Sequence, residues 1–169
     1  MNPAAVGSLF LLAAQSMLTP VDGAAPLPFD PAGKRATVVV FVSTVCPVSN
    51  DYADRIGRLW REFGKRQDVG MLVVYPNKTE SLAEIRAHAS EMKFPFPVYR
   101  DDNNVLADRL EARLTPTGAV CDRNGAVTYR GAIDDAANPA RVKRLYLRDA
   151  IRSTLAGRRP LQATQEPYG

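Results

Sequence analysis

The chain has 169 residues, of which 46% are hydrophobic and 24% charged, with a formal net charge of +4. This length fits one domain with a sizeable core, and the composition is ordinary for a globular protein. Many of the basic residues fall in the last fifth of the chain without interleaved aromatics, so a solvated helix face is expected there and nucleic acid is not an expected partner. Two cysteines and one histidine are too few for a structural zinc site or a disulfide scaffold, and no metal or cofactor is expected.

The N-terminal segment resembles a secretory signal. Residues 6–14 are almost entirely apolar, and the small residues at 23–25 offer a cleavage site after Gly23 or Ala24. No Lys or Arg precedes this run, which is also too short to span a bilayer. We expect residues 1–24 to be a targeting segment that adds nothing to the core, and the protein to be periplasmic or secreted. The alternative is an N-terminal extension on a cytoplasmic protein, and membrane contact is expected only through this segment if it is uncleaved.

The first elements predicted after this segment form a βαβ unit. The β-branched run 37–43 lacks alternation, which is typical of a strand buried on both faces in a parallel sheet. A helix begins at Cys46-Pro47, with proline at the favoured first position, and is predicted to end near Phe63. Residues 71–75 form the next buried strand.

The later elements alternate in the same way. In chain order they are a helix that begins with a capping box at Ser81, a short extended segment at 96–99, a brief helix at 104–110, a hairpin with arms 118–121 and 126–130, and a last helix from Asn138-Pro139 to about Ala156. The pattern predicts one α/β domain over residues 25–160, with a central mixed β-sheet flanked by helices. Residues 161–169 are expected to be an irregular tail.

Cys46 is the first candidate for chemistry, because it lies where the first strand passes to the first helix. Unpaired amides and the partial positive charge of a helix N-terminus favour the thiolate, which is the nucleophilic form of cysteine. Ser49 is placed to aim its hydroxyl at the same sulfur, and Ser43 and Thr44 are placed to do likewise. We therefore predict a reactive Cys46. The alternative is a small, buried apolar residue.

Three segments carry a family resemblance. Residues 43–50 (STVCPVSN) resemble the active-site turn of the redoxin branch of the thioredoxin superfamily, which includes alkyl-hydroperoxide-reductase/thiol-specific-antioxidant (AhpC/TSA) proteins and membrane-anchored thiol–disulfide reductases. Thr115-Pro116-Thr117 resembles the cis-proline loop of that branch, and residues 122–135 resemble its hairpin and exit segment. The resemblance covers about residues 28–169.

The resemblance implies a thioredoxin-like fold with a redox-active cysteine and antioxidant activity. It implies that Ser43, Thr44 and Ser49 assist Cys46, and that the Thr115–Pro116 peptide bond is cis. It also implies a substrate groove formed by Pro47, Thr115 and Pro116.

Two departures from the family pattern bear on mechanism. Ser49 replaces the second cysteine of a C-x-x-C motif, so no adjacent thiol is present to resolve a mixed disulfide. Peroxiredoxins carry a proline seven residues before the cysteine, where this chain has Val39. Arg123 and Arg130 are candidates for the arginine of a peroxide pocket, and solvated hairpin residues are the preferred interpretation of both.

The second cysteine and the single histidine are assigned structural positions. Cys121 follows Pro116 by five residues, on the order of 16 Å along an extended strand, whereas a disulfide needs Cα atoms within about 7 Å. We predict that Cys121 is a core residue and not a resolving cysteine. His88 is predicted to lie on the polar, exposed face of its helix.

Two functions from different classes remain open. The first is a peroxiredoxin-like or thiol–disulfide reductase-like oxidoreductase with Cys46 as nucleophile. Its substrate would be a small peroxide or disulfide, and an external thiol reductant or redox partner protein would reset it. The second is a non-catalytic binding module whose Pro116 groove holds an extended protein partner. The pKa of Cys46 distinguishes the two, because a lowered value favours the enzyme.

Overall fold

The computed structural model describes residues 16–76 and 78–168. The strands are β1 (Met17–Pro20), β2 (Leu27–Pro28), β3 (Ala36–Phe41), β4 (Val69–Tyr75), β5 (Val98–Arg100), β6 (Thr117–Asp122), β7 (Val127–Gly131) and β8 (Thr164–Gln165). The helices are α1 (Pro47–Asp51), α2 (Ala53–Phe63), α3 (Leu82–Glu91), α4 (Val105–Arg109) and α5 (Tyr146–Leu155), and a 3-10 turn spans Pro139–Arg141. The apolar run at 6–14 lies outside the described residues.

One mixed sheet contains these strands in the order β2-β1-β5-β4-β3-β6-β7-β8. The central strand β3 pairs in parallel with β4 and antiparallel with β6. All six of its residues are buried, because helices and loops cover both faces, which explains a β-branched run without alternation. The α/β prediction with a mixed sheet is confirmed.

The first predicted helix is interrupted. Tyr52 leaves regular helical geometry, with φ −89° and ψ −6°, and divides the segment into α1 and α2. No glycine or proline marks this position. The tertiary structure holds it, because the Tyr52 side chain is 1% exposed and its hydroxyl donates to Asp134 Oδ1 at 2.9 Å.

The predicted start of the last helix at Asn138-Pro139 is wrong. Asn138 caps only the short 3-10 turn, through a bond from the Ala140 amide to its side chain. The chain then runs extended, because Asp135 binds it from two sides: its carboxylate accepts from the Lys143 amide, and its own amide donates to the Arg144 carbonyl. Helix α5 therefore begins at Tyr146.

The tail is more ordered than predicted. Strand β8 pairs with β7, where Gly131 meets Gln165. Gly131 has φ +129°, and a Cβ there would lie 1.7 Å from the Gln165 carbonyl oxygen, so this approach requires glycine. The prediction of an irregular tail is therefore wrong at residues 164–165.

The described part of the N-terminal segment belongs to the folded domain. Strand β1 pairs with β5 on one side and β2 on the other, and Leu18 is 1% exposed in the cluster beneath them. The prediction that residues 1–24 add nothing to the core is therefore wrong for this strand, and cleavage after Gly23 or Ala24 would remove it. Among the residues described, no helix is long and apolar enough to cross a membrane.

Substitution of Leu18 tests the place of β1 in the core. We expect Leu18→Ala to lower the free energy of unfolding by about 2–5 kcal/mol, because it leaves a cavity in a closed cluster. Denaturant unfolding monitored by circular dichroism measures this change in free energy. The control is Leu161→Ala at a fully exposed leucine, which should change stability by less than about 0.5 kcal/mol. Equal effects of the two substitutions would mean that β1 is dispensable.

Candidate active site

Cys46 lies just beyond the carboxyl end of β3, as the N-cap residue of α1. Its backbone is extended, with φ −92° and ψ 107°, so the chain turns sharply from strand to helix. The thiol is half-buried and donates to the Thr115 carbonyl oxygen at 3.1 Å. The Thr115–Pro116 peptide bond is cis. The fold thus brings together two segments that lie 69 residues apart in the chain.

The surroundings of Cys46 favour the thiolate. Burial raises the pKa of its thiol, whereas the nearby Thr115 and Ser49 side chains and the Ser49 and Val48 amides lower this pKa by a larger amount. The net result is a pKa below the usual value of a free cysteine. Ser49 is 1% exposed, and its hydroxyl forms no hydrogen bond with the described residues, so it is available to the Cys46 sulfur.

Ser43 and Thr44 do not act on the sulfur as predicted. Both hydroxyls donate to the same carboxylate oxygen, Glu80 Oε1, at 2.8 and 2.7 Å, and the Thr44 amide donates to it at 2.8 Å. Glu80 is 5% exposed, so these bonds form away from bulk water. The two residues therefore anchor the turn that carries Cys46, and Glu80 is a functional position that sequence reasoning missed. It lies one residue before the capping box at Ser81, where the sequence pattern indicates only the start of a helix.

His88 is buried, which contradicts its predicted surface position. It is 8% exposed, its Nδ1 lies 2.7 Å from the Tyr75 hydroxyl, and its Nε2 lies 2.8 Å from Asn50 Oδ1. Burial lowers the pKa of His88, although Glu91 and Glu80 act in the opposite direction. The imidazole thus links β4 to Asn50 of α1, and Asn50 lies four residues after Cys46 in the chain. The prediction of an exposed His88 is wrong because its hydrogen-bond partners, Tyr75 and Asn50, belong to β4 and α1 and not to its own helix.

A buried ion pair fixes the other side of the active-site helix. Arg55, 6% exposed, binds both carboxylate oxygens of Asp134 at 2.9 Å and donates to the carbonyls of Ala136 and Ala137. The guanidinium carbon also lies 4.0 Å from the centre of the Tyr52 ring. Burial and the neighbouring Asp134 raise the pKa of Tyr52. This cluster holds the exit segment at Asp134 against the junction of α1 and α2.

Cys46 opens into a surface depression of about 590 Å³. Thr115, Leu114 and Arg113 line it on the side of the cis-proline loop, and Asn104 and Asp108 line it from the α4 region. Outside it, Val45 is 78% exposed beside Cys46. Of the predicted groove, Thr115 contacts the sulfur, Pro47 is exposed at the start of α1, and Pro116 is buried behind Thr115.

The arginines predicted for a peroxide pocket lie elsewhere. Neither Arg123 nor Arg130 lines the depression at Cys46. Arg130 forms an ion pair with Glu111, and Arg123 lines a different depression at the hairpin turn. Arg113 is the arginine that shares the Cys46 depression. Its position two residues before Thr115 is the signal that sequence reasoning could have used.

Cys121 is a core residue, as predicted. It is 1% exposed, and burial raises the pKa of its thiol to about 11. It pairs with Thr37 near the start of β3, whereas Thr117 pairs with Phe41 at the end nearest Cys46. Four residues of β6 separate these positions, about 13 Å. Both cysteines are free thiols. Within the described residues, no cluster of three or more His, Cys, Asp or Glu side chains could hold a metal ion.

A parallel βαβ unit followed by an antiparallel hairpin, with a half-buried cysteine facing a cis-proline loop, defines a thioredoxin-like redoxin. The AhpC/TSA family matches residues 27–130, and the chain belongs to this family. A search of curated proteins gave no match.

Solved structures share the fold. An uncharacterized conserved protein from Geobacillus kaustophilus is 25% identical, with a TM-score of 0.78 over 99% of this chain and 94% of its own. A hypothetical protein from Sinorhizobium meliloti is 22% identical, with a TM-score of 0.78 over 93% of this chain and 89% of its own. A secreted disulfide oxidoreductase from Mycobacterium tuberculosis is 16% identical, with a TM-score of 0.60 over 85% of this chain and 96% of its own.

Removal of the Glu80 carboxylate should loosen the active-site turn. We expect Glu80→Ala to lower the free energy of unfolding by at least about 2 kcal/mol, because buried donors of Ser43 and Thr44 lose their acceptor. Glu80→Gln retains one carbonyl oxygen and should be less damaging. Glu91→Ala, at an exposed glutamate on α3, is the control and should leave stability nearly unchanged. A Glu80→Ala protein as stable as this control would contradict the anchoring role.

Substitution of Ser49 should raise the pKa of Cys46. Ser49→Ala removes a hydroxyl that favours the thiolate, so the rate of iodoacetamide alkylation against pH should have its midpoint at higher pH. The rate at neutral pH should fall, while the plateau at high pH stays unchanged. Ser90→Ala, at an exposed serine on α3, should leave the profile unaltered. A Ser49→Ala midpoint that stays in place or moves down would contradict this assignment.

Proposed function

We propose that the protein is a single-cysteine thiol–disulfide exchange enzyme. Membership of the AhpC/TSA family supports a thiol oxidoreductase in general. The observation that carries the finer proposal is Cys46 itself: its pKa is lowered, it is half-buried, and it contacts the cis-proline loop. Such a thiolate is available to attack a disulfide sulfur.

The shape of the surface supports a disulfide as substrate. The depression at Cys46 is open, and exposed apolar side chains lie beside it at Val45 (78%) and Leu114 (47%). Such a rim suits the apolar groups that flank a disulfide in a peptide or protein. The hydroxyls of Ser43 and Thr44 donate their protons to Glu80, so they are not free to donate a hydrogen bond to a small peroxide.

The proposed reaction has two exchange steps. In the first, the Cys46 thiolate attacks one sulfur of a substrate disulfide, forms a Cys46–substrate disulfide, and releases the other sulfur as a thiolate. In the second, an external thiolate attacks this mixed disulfide, leaves with the substrate sulfur, and regenerates the Cys46 thiolate. The external thiol is required because Ser49 stands at the resolving position and Cys121 lies along β6, remote from Cys46.

A thiol peroxidase is the second candidate, and Arg113 is the observation that favours it. Its guanidinium group belongs to a residue lining the same depression as Cys46. In that reaction the Cys46 thiolate attacks the distal oxygen of a hydroperoxide, the O–O bond breaks, and Cys46 becomes a sulfenic acid. The alkoxide that leaves takes a proton from water. Two external thiols then reduce the sulfenic acid, with release of water and formation of a disulfide.

Turnover by cysteine variants of the full chain tests the proposal. With excess glutathione, the wild type should reduce a glutathione–peptide mixed disulfide, and Cys46→Ser should show only the background rate. Cys121→Ser is the control and should retain activity within about twofold, since its buried thiol takes no part. Mass spectrometry should detect a glutathione adduct on Cys46 and no bond between Cys46 and Cys121.

Three other results of these assays would each contradict the proposal in a different way. Turnover of hydrogen peroxide without exchange of the mixed disulfide would replace the proposal by the peroxidase. A bond between Cys46 and Cys121 would contradict the single-cysteine mechanism. No turnover of either substrate, with Cys46 slow toward iodoacetamide, would leave the non-catalytic binding module.

A further inference from the structure

A second depression lies at the end of the sheet opposite Cys46. It measures about 590 Å³ and is formed by the β6–β7 hairpin turn, the end of α5 and the segment after it. Asp122 and Ala36 pair at this end of β3, whereas Cys46 follows its other end. A strand of six residues, about 20 Å long, therefore separates the two sites. Nothing in the thiol chemistry of Cys46 uses this surface.

Four arginines surround this depression: Arg35, Arg123, Arg158 and Arg159. They come from three separate parts of the chain, and all are exposed. Within residues 16–76 and 78–168, none of the four forms an ion pair with a carboxylate, although six other arginines do. The depression therefore carries more positive charge than the carboxylates among its described lining residues neutralise.

One carboxylate and one helix-end carbonyl in this region already accept hydrogen bonds. Asp122 is the one carboxylate among the described lining residues, and its Oδ1 accepts from the amides of Asn124 and Ala126 at 2.9 and 3.0 Å. The end of α5 exposes carbonyl oxygens that attract cations, and Arg35 donates to one of them, on Leu155. This bond to the helix end explains the position of the Arg35 side chain. The other three arginines have no such partner in the described structure.

We propose that this depression binds a phosphate-bearing ligand with at least two negative charges. A guanidinium presents paired N–H donors that match phosphate oxygens, and several arginines around one concavity suit a multiply charged group better than a single carboxylate. The volume lies in the range of small-molecule sites. Apolar lining from Val127, Pro160 and Ala163 leaves room for an organic part of the ligand.

Titration calorimetry of the full chain with inorganic pyrophosphate at fixed ionic strength tests this site. We expect R123A/R158A to weaken binding by at least about tenfold, because two guanidinium contacts are lost. The matched control R58A/R61A removes the same charge from two arginines on α2 that form no ion pair among the described residues, and it should change affinity less than about twofold. An unchanged thermal midpoint for both variants checks the fold.

Vesicles that contain phosphatidic acid form the second arm and distinguish a lipid headgroup from a free phosphate compound. Binding of pyrophosphate that R123A/R158A abolishes assigns the site to a free ligand. Binding to vesicles alone, lost in R123A/R158A and kept in R58A/R61A, assigns the same phosphate chemistry to a lipid. Equal weakening by both variants, or no binding to either probe, would overturn the proposal, and the chemistry of Cys46 would be unaffected.

Discussion

The complete burial of β3 is the constraint on which the rest of the structure depends. A strand with no exposed face must be paired along both edges, here by β4 and β6, and covered above and below. Its register with β6 sets Phe41 opposite Thr117. The chain that leaves β3 toward Cys46 and the chain that enters β6 from Pro116 therefore meet at one end of the sheet. The Cys46–Thr115 contact follows from this pairing.

Polar groups buried beneath the active-site turn then hold its geometry. Glu80 accepts three bonds from Ser43 and Thr44, and His88 joins Tyr75 to Asn50. Each such group is costly to bury without a partner, so the bonds strongly favour one arrangement of the turn over its alternatives. Rigid support of this kind is what a nucleophile needs, because the amides that lower the pKa of its thiol must stay in place.

The two ends of the sheet differ in chemistry. The Cys46 end carries a half-buried thiol with an apolar rim, and the opposite end carries exposed arginines around a separate depression. The positive charge noted near the end of the sequence belongs partly to this second surface, through Arg158 and Arg159. Arg148 and Arg152 have another role, since both bind Glu62 and thereby tie α5 to α2. Among the described residues, the arginines of the last fifth of the chain therefore divide into an ion-paired group and a group without ion pairs.

The local pattern of the sequence determined the order of elements, the central strand and the position of Cys46 at a strand–helix junction. These features depend on side-chain periodicity, on proline at the first helical position and on the Asn124-Gly125 turn, which act within a few residues. Only the tertiary structure decided the roles of Glu80, His88, Arg55 and Arg113. The first three depend on partners between 13 and 82 residues away, and Arg113 depends on a surface shared with Cys46. The same reason explains why Ser43 and Thr44 bind Glu80 and not the sulfur, and why Tyr52 divides a helix that sequence alone predicts as continuous. The local sequence pattern predicted the position of Cys46, and contacts between distant segments decided which groups surround its thiol.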